Sequence, residues 1–113
     1  MSPAVSASRP IAIRRRRDHW LWVGGPVPPG ADAITLGNVI VVRRHAASDE
    51  RLLRHEEEHV RQWRQLGMVG FLRRYLGSYL GGRLHGLGHW DAYRRIPLEV
   101  EAEQAAAREH PGE

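Results

Sequence analysis

His55 and His59 stand four residues apart with Glu56 beside the first, the pattern H-E-x-x-H. On a helix the two imidazoles lie about 40° apart around the axis, so both reach one cation. Glu56 falls about 80° from their midpoint, within reach of a water beside that cation. A cation that polarises water, with a carboxylate next to it as base, is the chemistry of metal-assisted hydrolysis. Glu58 flanks the pair on the other side and Glu57 points toward solvent. With seven His and nine Glu in 113 residues, the pattern arises by chance about 0.03 times per chain of such composition, so the spacing carries weight. The competing reading is a charged surface helix laced with pairs such as Glu50–Arg54 and Glu57–Arg61.

A hydrolytic zinc site takes three protein ligands and keeps one position for water. The chain has no cysteine, so thiolate sites and disulfides are excluded and His with carboxylate must suffice; that donor set favours zinc. Gln62 and Gln65 occupy the places where the longer pattern H-E-x-x-H-x-x-G-x-x-H needs Gly and His. The remaining ligand is therefore sought on the final helix, which offers Glu99, Glu101 and Glu103. Glu99 and Glu103 share one helical face and Glu101 lies on another. Glu99 is assigned as the ligand and Glu103 as a carboxylate that orients a ligand imidazole through its other nitrogen. Ala102 and Ala106 beside that face allow close approach of the two helices. His89 stays open as an alternative ligand.

The stretch His55 to Gln62, followed by Tyr93-Arg94-Arg95-Ile96-Pro97-Leu98-Glu99-Val100-Glu101-Ala102-Glu103, resembles the gluzincin metallopeptidases, minigluzincins in particular. Those enzymes pair H-E-x-x-H with a glutamate on a later helix. The resemblance implies a small zincin-like domain of α+β class, a β-hairpin or short sheet packed on a metal-binding helix with two further helices. It also implies that Glu99 binds zinc and that the last acidic residue, here Glu103 rather than the commoner Asp, supports the site. A peptide or protein substrate, with Glu56 as general base and then acid, is the expected partner. A donor to the oxyanion is sought among Tyr93, His89, His85 and Tyr79, with Tyr93 placed first on its nearness in sequence to Glu99.

Several elements must hold these residues in place. His19-Trp20-Leu21-Trp22-Val23 is aromatic and favours a strand, ended by Gly24-Gly25-Pro26. Ala33–Leu36 and Val39–Val42 flank the turn Gly37-Asn38 and predict a hairpin whose edge could accept an extended peptide. A helix is predicted from an N-cap at Ser48 to about Leu66, stopped by Gly67. A second helix, Val69 to Arg83, carries Phe71, Leu72, Tyr75, Leu76, Tyr79 and Leu80 as its apolar set. Glycines 77, 81 and 82 weaken it or permit close packing. Residues 84–96 read as a Gly- and His-rich loop, and Pro97 opens a last helix to about 109.

Length and composition bound the rest. One domain, 18–110, is expected, preceded by a disordered basic arm at 1–17. Trp20, Trp22, Trp63 and Trp90 are expected in the core or at its edge. The net charge is +4 and all 17 basic residues are Arg. Arg14 to Arg17 are the densest run, yet no reading helix accompanies them, so nucleic acid is not the expected partner. Arg73, Arg74 and Arg83 read as solvated, with an acidic partner or membrane surface as the alternative. No apolar run approaches the roughly 20 residues that span a bilayer, and no signal-like stretch follows the first charges, so a cytoplasmic protein is expected. Two other functions stay open: a zinc-stabilised binding module without catalysis, and an Arg-rich nucleic-acid-binding protein.

Overall fold

Leu21 and Val23 from one strand and Ile40 and Val42 from another point into the same core, with the residues between them on the far face. Alternating side chains with β-branched residues dominating suit a sheet, and Val41 is buried on the far face as well. The structure, a computed structural model, describes residues 12–108. Its strands are β1 (Ala12–Arg15), β2 (Trp20–Val23), β3 (Ala33–Leu36) and β4 (Val39–Val42). They form one sheet in the order β1-β2-β4-β3, with β2 and β4 parallel and the other pairs antiparallel. Among the described residues β3 is therefore an edge strand. A short 3-10 turn (Arg44–Ala46) leads to the helices α1 (Glu50–Leu84), α2 (His89–Arg94) and α3 (Pro97–Arg108). The molecule is a small α+β domain.

The predicted hairpin forms with Leu36 opposite Val39, and Gly37 at φ 63° makes the turn. Val60 of α1 joins the sheet residues in the first core cluster, with Leu52 and Leu53 packed against it. A second cluster gathers Phe71, Ile96 and Leu98, edged by Trp63, Tyr75, Tyr79 and Tyr93. It ties the far end of α1 to α2 and α3.

Four expectations are corrected. Residues 12–15 belong to β1 rather than to a disordered arm, while 1–11 and 109–113 lie outside the described residues. All four β1 residues are exposed, so no hydrophobic alternation marks the strand; backbone pairing and Arg15 over the ring of Trp20, 5.0 Å from its centroid, hold it instead. The helix cap is Asp49, whose carboxylate accepts from the Leu52 backbone N–H, and not Ser48. Residues 89–94 are helical, not loop. Gly82 lets α2 approach so closely that a Cβ there would meet the Cβ of Ala92 at 3.1 Å, and this long-range contact is invisible to local pattern. Trp20 and Trp90 are exposed.

Gly67 does break the helix, as predicted, but no loop follows. Its φ of 74° and ψ of 170° kink α1 into a first arm (50–66) and a second arm (68–84). Only glycine takes that conformation without strain. The second arm turns Phe71, Tyr75 and Tyr79 inward and leaves Leu72, Leu76 and Leu80 exposed, so the predicted apolar set divides between two faces.

Candidate metal centre

The first arm of α1 lies against β3 on one side and α3 on the other. Ala102 and Ala106 are fully buried at the α3 contact, where the small side chains let the helices close up. Arg54 of α1 donates to the Ala106 carbonyl at 3.3 Å. This packing brings the three expected ligands together. One donor atom from each of His55, His59 and Glu99 lies within 4.8 Å of the others. Glu99 Oε1 is 2.9 Å from His55 Nε2 and 3.2 Å from His59 Nε2. The edge of a tetrahedron around zinc with such ligands is about 3.3 Å, so both distances are close to ligand spacing. A His/His/Glu set at this spacing fits zinc.

The distal ring nitrogens are also engaged. His55 Nδ1 lies 3.2 Å from Glu103 Oε2, the contact expected of Glu103. Glu103 also accepts a hydrogen bond from Arg51, which crosses from α1. His59 Nδ1 faces Gln62 Oε1 at 2.9 Å, and Gln62 Nε2 donates to the Leu98 carbonyl at 3.0 Å and to Glu101 at 3.2 Å. Gln62 is 1% exposed. With its amide nitrogen committed to α3, its oxygen must face the imidazole, which places the ring proton on Nδ1 and leaves Nε2 for a metal.

Glu56 is buried beside the ligands and accepts a hydrogen bond at 2.6 Å from the Thr35 hydroxyl of β3. Glu56, His59 and Glu99 line one cavity of about 310 Å³ with Thr35, Tyr75 and Tyr93. Its apolar wall comes from Ile34 and Leu36 of β3 and from Phe71, Leu72 and Leu76 of the second arm.

The electrostatics follow from this crowding. Burial opposes the charge on Glu99, yet hydrogen bonds with His55 and His59, and the Tyr75 hydroxyl, hold its carboxyl well below the usual carboxylate range. Burial likewise opposes a charged His59, but the hydrogen bond and charge of Glu99 outweigh it and raise the imidazole. Tyr75 and Tyr93 are pushed up, first by burial and then by the Glu99 charge, so both phenols stay protonated.

Tyr93 thus sits in the cavity with Glu56. The other oxyanion candidates are turned elsewhere: Tyr79 pairs with His89 Nδ1 at 2.9 Å, and His85 Nδ1 is 2.7 Å from the Gly81 carbonyl. His89 borders a neighbouring opening with His55 and Tyr93 but is not in the ligand cluster. Arg61 pairs with Glu58, while Glu50 and Arg54 approach to 3.9 Å. Three residues escaped the sequence reading. Gln62 carried a readable signal, one helical turn after His59. Tyr75 reads as apolar filling, and Thr35 as an ordinary strand residue, because their partners are remote in sequence.

The family model described as the eCIS core domain matches residues 28–67. That span takes in β3, β4 and the first arm of α1 with His55, Glu56 and His59, and stops short of Glu99. No curated protein and no solved structure matches the chain.

Proposed function

We propose that this chain is a zinc-dependent metallopeptidase of gluzincin type. The observation that carries the reading is the convergence of His55, His59 and Glu99 on one point with Glu56 buried beside them. Zinc, when bound there, supplies Lewis acidity toward a scissile carbonyl and toward water. Glu56 takes the proton of the attacking water and passes it to the leaving amine. The Thr35 hydroxyl fixes one Glu56 oxygen, which orients the carboxylate without neutralising it. Tyr93 donates toward the developing oxyanion. Glu103 and Gln62 hold the two imidazoles in register.

Ile34, Thr35 and Leu36 border the cavity on a strand that, among the described residues, pairs only with β4. An extended peptide adding to that strand would run past Glu56, with backbone hydrogen bonds setting its register. The site therefore suits an unfolded segment rather than a helix.

Protein purified without a histidine tag should carry about one zinc per chain and cleave members of a peptide library. Glu56→Gln should keep the zinc and the fold while losing activity by about 10²- to 10⁴-fold. Undiminished turnover in that variant would remove Glu56 from the mechanism, and a wild-type chain that takes up no zinc would end the proposal.

A further inference from the structure

The second arm of α1 carries Val69, Leu72, Leu76, Leu80 and Leu84 at helical spacing along one exposed ridge. Their exposures are 69%, 39%, 52%, 56% and 86%, values at which a core residue would be misplaced. The inward face is already committed to Phe71, Tyr75 and Tyr79, so the arm needs no leucines to pack. Five large apolar residues in one row also exceed the scattered exposure normal for a monomer.

The charges beside the ridge are of one sign. Arg73 and Arg83 lie on it, both exposed, while Arg74 is about 140° around the helix from its centre. From residue 59 to 90 the chain has no Asp or Glu. Arg73 and Arg74 form no ion pair with any described residue, and Arg83 donates only to the neutral Tyr79 hydroxyl, at 3.2 Å. An apolar ridge rimmed by arginines with no carboxylate is complementary to a surface that is apolar below and anionic above. Long arginine side chains can lay their stems on the ridge while the guanidinium reaches lipid phosphate. A second copy fits less well, because it would place arginines of both chains at one contact without carboxylates to meet them. No helix among the described residues is long and apolar enough to cross a membrane, so docking on a bilayer would lay the arm along its surface.

We propose that residues 69–84 dock the protein on an anionic lipid bilayer, with the leucine ridge in the interface and Arg73 and Arg83 at the phosphates. Leu72 and Leu76 also border the metal cavity, so the docked bilayer lies beside its mouth.

Flotation of the full chain with vesicles of phosphatidylcholine and phosphatidylglycerol at 7:3, against phosphatidylcholine alone, tests this. Binding is expected to the anionic vesicles only. Arg73→Gln with Arg83→Gln should weaken it by about 25-fold, since each charge near such a surface contributes about fivefold. Leu80→Ser with Leu84→Ser, at exposed positions that leave the fold intact, should weaken it at least about tenfold. Glu56→Gln should bind as the wild type does, which separates docking from catalysis. Equal binding by both paired variants would overturn the proposal. So would absence of anionic-vesicle binding, a ridge-dependent dimer in solution, or ridge-dependent capture of an acidic amphipathic peptide without vesicle binding.

Discussion

The two arms of α1 sort their side chains in opposite ways. The first arm buries Glu56, His59 and Gln62, while the second leaves most of its leucines in solvent. Burying polar groups is costly unless each finds a partner, and these three side chains do, although the buried Trp63 indole N–H finds none among the described residues. Thr35 serves Glu56, Glu99 and Gln62 serve His59, and the Leu98 carbonyl serves Gln62. The second arm is held by a row of rings on one side only: Trp63 stacks on Phe71 at 4.2 Å, and Phe71 on Tyr75 at 5.4 Å. The contrast teaches that hydropathy alone misplaces both arms. Partners decide burial in the first arm; in the second, the rings hold the helix without help from the leucines.

Substitutions can break that comparison. Phe71→Ala should remove about 3–5 kcal/mol of stability, read as a shift in the denaturant midpoint, because the residue anchors the second arm. A loss below about 1 kcal/mol would mean that the rings do not hold the arm. Gln62→Leu should weaken zinc binding by about 10- to 100-fold in a chelator competition, since His59 then loses the group that sets its ring proton. Unchanged affinity would make Gln62 a packing residue only.

The pH dependence sharpens the first arm further. His59 is raised from 6.5 in the metal-free protein, so its contribution is full below that value and is lost as pH climbs through the higher folded one. Glu99 is lowered from 4.5, so its contribution is present above that value and fades as the solution is acidified. Metal-free protein should therefore melt at lower temperature at pH 8 than at pH 6, while the increment added by zinc grows, because zinc needs the neutral imidazole. A zinc increment that shrinks with rising pH would contradict the assignment of His59. The smallest effect belongs to the ridge: Leu80→Ser should change stability by no more than about 0.5 kcal/mol in thermal melts. A larger loss would show that the ridge packs internally after all.

Much of the candidate site was legible because it obeys helical arithmetic. His55, Glu56 and His59 are one turn of α1, and Glu99 with Glu103 one face of α3. The hairpin was legible because Gly37-Asn38 punctuates two β-branched runs. What stayed hidden depends on tertiary contact. β1 is fully exposed and has no hydrophobic signature, and α2 is fixed by Ala92 meeting Gly82. Thr35 and Tyr75 reach Glu56 and Glu99 across 21 and 24 residues of sequence. The division of the second arm into a ring face and a leucine face needed the structure, since both faces read as one apolar set.

The bend at Gly67 has a consequence for how this chain can change length. Because helix resumes at once, the angular phase between His59 and Tyr75 is set by a fixed residue count. Adding or deleting one residue between them would rotate the downstream segment by about 100° and carry the Tyr75 hydroxyl away from Glu99. Insertions should be tolerated at the Gly86–Gly88 connection and rejected around the bend, so relatives that keep the chemistry should keep that interval.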